Sequence, residues 1–300
     1  MKQETRVTRG NVKTVNKGTL IIIGGREDKE NNRVILREVV RRVGDGKLVV
    51  CTAATQHPEE MFHEYERVFR KLGIKHIWHL NITSRDEARD EKKLRILEDA
   101  TGVFFTGGDQ FKITSQMCDT PSFEMTRQVY EKGGFIAGTS AGASVMCETM
   151  MVSGLGDASH RLSNAIRLAP GFGFINGFII DQHFAERGRI GRLLGVIAQN
   201  PRNIGIGIDE DTAIVVEGED DFYVIGSGTV YVIDCRDMTG SNVADEDLSK
   251  TLAVYDVRLH LLTQGDFFDL HERRPKHPTD KQTKEKMPPT KPRGGQQENK

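Results

Sequence analysis

The feature that most constrains this chain is an alternation. Short apolar runs at 19–23, 47–52, 76–80, 102–105 and 135–138 have the length and composition of buried strands. Stretches of helical length separate them, at 33–42, 58–72, 86–97 and 122–132. Strand and helix alternating at this spacing predict βαβ units. That means an α/β domain centred on a parallel sheet, with helices on both faces. After residue 140 the pattern changes. Residues 205–234 hold several short strands broken by turn residues (EGEDD, GSG), which predicts antiparallel additions at one sheet edge.

Two tails frame one domain spanning 18–271. Residues 1–17 are polar and mostly basic, and are expected to be a flexible tail. Residues 272–300 contain five of the nine prolines, nine Lys/Arg against four Asp/Glu, and one large apolar residue, Met287. Such a stretch buries too little surface to offset its ordering entropy, so a disordered tail is expected.

Bulk properties exclude several function classes. A formal net charge of −1 gives no overall attraction to nucleic acid or to an anionic membrane. No apolar run approaches the roughly 18 residues of a membrane span, and the N-terminus lacks the apolar core of a signal peptide. Cys51, Cys118, Cys147 and Cys235 are scattered without metal-ligand spacing. They read as small buried residues in a reducing compartment. A cytoplasmic enzyme without disulfides, structural zinc or another metal is expected.

The sharpest chemical motif is Gly138-Thr139-Ser140-Ala141-Gly142, directly after an expected strand. G-x-S-x-G at a strand end is the nucleophile-elbow pattern. The serine sits on a tight strand-to-helix turn, and glycines flank it because side chains would collide there. A second glycine motif, Thr106-Gly107-Gly108-Asp109-Gln110, ends another strand. In an α/β sheet this loop lies beside the elbow, at the carboxyl edge where ligands bind. An N–H from it, at Gly108, together with that of Ala141 would make an oxyanion hole, and Gln110 would reach substrate.

The third motif runs from Asp181 to Arg192. His183 lies at a strand end downstream of the nucleophile and is the candidate general base. Arg187, Arg189 and Arg192 crowd into six residues beside it, a pattern suited to gripping substrate carboxylates. The base needs an acid to orient it. Glu210, in Asp209-Glu210-Asp211, is the first choice, and Asp157 is the second. The remaining glycine pair, in Ile23-Gly24-Gly25-Arg26-Glu27-Asp28, matches neither G-x-G-x-x-G nor a phosphate-binding loop. Nucleotide binding is therefore not expected.

GTLIIIGGREDK, FTGGDQ, GTSAGAS, IDQHFAERGRIGRL and GIGIDEDTA stand in one order along the chain. That set, over about 18–270, resembles the cyanophycinases, serine peptidases related to the aspartyl dipeptidases. The resemblance implies a fold similar to class I glutamine amidotransferase domains, a homodimer, and no metal or cofactor. It implies hydrolysis of cyanophycin, a polyaspartate carrying arginine on its side chains, to β-aspartyl-arginine dipeptides. It also implies Ser140 as nucleophile, His183 as base and Glu210 as acid. Gln110, Asp181, Gln182, Arg187, Arg189 and Arg192 would contact substrate. Two alternatives are a peptidase for short Asp-X peptides and a non-catalytic amidotransferase-like binding module. The arginine trio favours the polymer, and the presence of both Ser140 and His183 disfavours the binding module.

Overall fold

A computed structural model describes residues 17–152 and 167–276, except Glu219, Glu246, Leu248 and Ser249. The five expected strands form as β1 (Thr19–Ile23), β2 (Lys47–Cys51), β3 (His76–Leu80), β4 (Gly102–Phe105) and β5 (Phe135–Thr139). They pair in parallel in the order β1-β5-β4-β2-β3. The helices between them are α1 (Val34–Val43), α2 (Pro58–Lys71), α3 (Glu91–Leu97), α4 (Gln110–Met117) and α5 (Pro121–Glu131). The helix expected over 86–97 is broken. A 3-10 turn (Glu87–Arg89) precedes an extended Asp90, whose carboxylate accepts the N–H groups of Lys92 and Lys93 and so starts α3. Helix α4 was not foreseen. Asp109 caps it through the Phe111 N–H.

A four-residue helix, α6 (Ala141–Ser144), follows β5. Then come the antiparallel pair β6 (Thr149–Val152) and β7 (Arg167–Pro170), β8 (Phe178–Gln182), α7 (Ile190–Gln199) and β9 (Ile204–Ile208). The chain continues through β10 (Thr212–Glu217), β11 (Asp221–Gly226) and β12 (Val230–Asp234). It closes with the short pair β13 (Gly240–Ser241) and β14 (Val254–Tyr255), then β15 (Arg258–Leu262), β16 (Phe267–Asp269) and β17 (Arg274–Lys276).

Only part of this region forms the expected edge. β10, β11, β16 and β17 extend the sheet antiparallel from β1, giving nine strands among the described residues. β8, β9, β12 and β15 make a second sheet in which β8 and β9 are parallel. The expected tail boundary at 272 also moves. Arg274–Lys276 pair with β16, and Lys276 forms ion pairs with Asp221 and Asp269.

Residues of β1 alternate between two cores, as a sheet buried on both faces requires. Ile21 and Ile23 pack with Leu36 and Val39 of α1 and Phe69 of α2. Leu20 and Ile22 pack toward the second sheet, against Ile206 and Val232. The far face of that second sheet, including Ile179 and Ile233, is covered by Leu193 and Ile197 of α7.

A buried ion cluster locks α1 to the antiparallel edge. Glu38 accepts from Arg41 at 2.6 Å and Arg42 at 2.8 Å, while Arg42 also reaches Glu217 of β10 and Thr19 of β1. Glu38 is almost wholly buried, so removing it takes away the carboxylate shared by Arg41 and Arg42 and the acceptor of the Tyr223 hydroxyl. Glu38→Ala should destabilise the fold by on the order of 3 kcal/mol. The check is the urea midpoint, at unchanged denaturant slope. A midpoint equal to that of the wild type would show that the cluster adds no stability.

Candidate active site

Ser140 stands at the carboxyl end of β5 with φ 53° and ψ −110°. A non-glycine residue in that conformation is strained and needs surrounding structure to hold it. The holding bonds are visible. The Ser140 N–H donates to the Ile23 carbonyl at 3.0 Å, and the Ser140 carbonyl accepts from Ala143 and Ser144. The two flanking glycines are required by contact. A Cβ on Gly138 would lie 2.3 Å from the Gly142 carbonyl oxygen, and one on Gly142 2.4 Å from that of Phe105.

The candidate base and acid come from the second sheet. β8 and β9 are adjacent and parallel with Gln182 opposite Ile208, so the residues that follow them emerge side by side. His183 Nε2 lies 3.0 Å from Ser140 Oγ, and His183 Nδ1 lies 2.7 Å from Glu210 Oε1. This hydrogen-bonded line can take the serine proton, hold the imidazole in one tautomer and stabilise its cation. Asp157, the alternative acid, lies outside the described residues.

Gly24 and Gly25, set aside in the sequence reading, form a wall of this site. The His183 N–H donates to the Gly24 carbonyl at 2.8 Å, and the Asp211 N–H to that of Gly25 at 2.9 Å. Gly25 has φ 108°, and a Cβ there would sit 2.3 Å from His183 Cε1. Only glycine leaves room for the ring. A glycine pair directly after a central strand was the available signal. Arg26, mostly exposed, donates to Glu210 Oε2 at 3.3 Å. Asp209, also unassigned from sequence, accepts the N–H groups of Ala185 and Thr229 and so ties the acid loop to the base loop.

The other expected residues separate into two groups. The Gly107–Gly108 turn lies beside the nucleophile, as expected for the oxyanion position. A Cβ on Gly107 would be 3.5 Å from Ser140 Cβ, whereas Gly108 backs against the Ala54 carbonyl. The Ala141 N–H opens α6, where the first N–H groups have no partner within the helix. Gln110 is turned inward, with its amide nitrogen donating to the Met151 carbonyl at 3.0 Å.

Among the three arginines, Arg189 and Arg192 point inward. Both pair with Asp181, which is 1% exposed, and Arg189 also donates to the Gln182 side chain. Buried carboxylate and guanidinium groups offset one another's desolvation this way. The four residues therefore contact one another. Arg187 alone of the trio is exposed.

A sequence profile for peptidase family S51 matches residues 20–224. The chain belongs to peptidase family S51. As a member it is a serine-type peptidase. It is 36% identical over 264 residues to the cyanophycinase of Synechococcus elongatus, covering 87% of this chain and 82% of that protein. It is 37% identical over 261 residues to the cyanophycinase of Trichormus variabilis, covering 86% and 87%. Among solved structures, a peptidase from an acI-B1 actinobacterium superposes with a TM-score of 0.61 at 22% identity, covering 85% of this S51 chain and 98% of its own. The putative peptidase E of Listeria monocytogenes EGD-e gives 0.50 at 14% identity, covering 71% and 100%. At those identities the likeness establishes the fold alone. Among the described residues of this S51 peptidase, no His/Cys/Asp/Glu group could hold a metal ion, and no helix is long and apolar enough to cross a membrane.

The electrostatics of His183 lead to a test. Burial pushes its pKa below the usual 6.5. The hydrogen bond with Glu210 opposes that shift, while the positive charges of Arg187 and Arg189 reinforce it. A base must be neutral to accept a proton, so the acid limb of kcat/KM should lie below pH 6.5. Arg187→Ala removes a charge that disfavours the imidazolium. The pKa should rise and the limb should move to higher pH. Peptide hydrolysis measured from pH 4.5 to 8 reads this directly, and a limb that stays in place or moves down would contradict it.

Proposed function

We propose that this chain is a cyanophycin-degrading exopeptidase that releases β-aspartyl-arginine dipeptides through an acyl-enzyme on Ser140. The observation that carries the mechanism is the unbroken line from Ser140 Oγ through His183 to Glu210. Support for the substrate comes from the similarity to cyanophycinases over most of the chain. Ser140 Oγ attacks the scissile carbonyl and His183 takes its proton. The backbone N–H groups of Ala141 and the Gly107–Gly108 turn receive the oxyanion. His183 then returns the proton to the leaving amine, and water hydrolyses the ester by the reverse roles.

The burial pattern refines the substrate contacts within this proposal. In this reading Arg187 meets a carboxylate of the polymer, and its exposure to solvent supports that role. Asp181, Gln182, Arg189 and Arg192 then act as a brace that keeps β8 and the start of α7 in register behind His183. Gln110 keeps α4 against β6 in the same way. The working form in this reading is a cytoplasmic homodimer, as the resemblance implies. A one-chain mass in light scattering would contradict the dimer.

The test has two parts. Incubation with cyanophycin should yield β-aspartyl-arginine by mass spectrometry, with much slower release of products from short α-Asp-X peptides. The reverse preference would favour a dipeptidase. Ser140→Ala should keep the fold and lower kcat by on the order of 10⁴ or more. Near-normal turnover by that folded variant would reject Ser140 as the nucleophile.

A further inference from the structure

A buried carboxylate that the mechanism does not use stands directly behind the nucleophile turn. Glu27 is 3% exposed. One of its oxygens, Oε2, accepts from the Thr139 hydroxyl at 2.6 Å. The other, Oε1, accepts from the Tyr65 hydroxyl of α2. Thr139 and Tyr65 are themselves buried. Lys29 lies 3.9 Å from Glu27 Oε1 and sits over the Tyr65 ring at 4.6 Å. Packing alone does not call for an acid here. Burying a carboxylate is costly unless hydrogen bonds and a nearby charge compensate, and these three partners supply both.

The place of those partners suggests what the acid does. Thr139 is the last residue of β5, and Ser140 follows in its strained conformation. Along β5, Phe135 and Ala137 face the α1/α2 core, and Thr139 continues that face. Glu27 therefore grips the strand from the side of α2, one residue before the turn. The end of β1 and the short loop after it touch every segment of the hydrogen-bonded line. Ile23 accepts the Ser140 N–H, Gly24 accepts the His183 N–H, and Gly25 accepts the Asp211 N–H. Arg26 bonds Glu210, and the Asp28 N–H bonds the Asp211 side chain. Within this hub Glu27 provides the side-chain bond to the nucleophile's strand.

We infer that Glu27 is a positioning residue for Ser140: through its bond to the Thr139 hydroxyl it holds the nucleophile turn in line with His183. The inference rests on Ser140 being the nucleophile, as proposed above. Loss of the bond should lower the reactivity of Ser140 without altering substrate contacts, because neither Glu27 nor Thr139 reaches solvent. In steady-state terms kcat falls while KM holds.

A fluorophosphonate probe tests this independently of the natural substrate. Ser140 Oγ attacks phosphorus, the P–F bond breaks, fluoride leaves, and His183 takes the serine proton. The labelled residue is identified by peptide mass. Glu27→Gln should be phosphonylated at Ser140 on the order of tenfold more slowly than the wild type, with unchanged circular dichroism. Thr139→Val, which keeps shape but loses the hydroxyl, should slow to a similar degree. Thr139→Ser, which keeps the hydroxyl, should recover most of the rate. Should Glu27→Gln fail to fold, the Val and Ser pair decides alone. Wild-type labelling rates in Glu27→Gln, or in Thr139→Val, would overturn the inference. A wild-type enzyme that is never labelled at Ser140 would instead overturn the nucleophile assignment, and this inference with it.

Discussion

The hydrogen bond from the His183 N–H to the Gly24 carbonyl joins two sheets that each carry half of the candidate chemistry. The main sheet holds Ser140 at the end of β5. The second sheet holds His183 and Glu210 at the ends of its parallel pair. Neither half is useful alone, and a misplacement of about 1 Å can cost on the order of 10²-fold in rate. The loop after β1 sets the relative position of the two because β1 is central. It pairs with β5 on one side and β10 on the other. From there it reaches the elbow, the base and the strand that follows the acid. Backbone bonds to Ile23, Gly24 and Gly25 do this without side chains, which lets Gly25 leave space for the imidazole ring.

Strain at this site is distributed rather than isolated. Ser140, His183, Arg26 and Asp211 all have positive φ. Such residues persist where surrounding bonds over-determine them. The bonds from Asp211 to Gly25 and Asp28, from His183 to Gly24, and from Ser140 to Ile23 meet that condition. The ion pairs of Asp181 with Arg189 and Arg192 extend the same stiffness behind His183. Charged residues here build rigidity, and among the described residues Arg187 and Arg26 are exposed cations near the hydrogen-bonded line.

The sequence by itself determined the five parallel strands, the elbow, and Ser140, His183 and, ahead of Asp157, Glu210 as candidate nucleophile, base and acid. Those features are local. Strand length, helix period and a glycine-flanked serine are written in consecutive residues. The parts that only the tertiary structure decided depend on side-chain direction and on contacts between distant segments. The strands within 204–234 are divided between two sheets, with β10 and β11 in one and β9 and β12 in the other, and no local pattern says which sheet a short apolar strand joins. Arg189 and Arg192 share a face because they are three residues apart, but spacing cannot tell whether that face meets solvent or Asp181. Gly25 and Glu27 looked like an unmatched glycine motif with a trailing acid. Their roles come from His183, which follows the second sheet's β8, and Thr139 on β5, which lie far along the chain and meet them only in the folded structure.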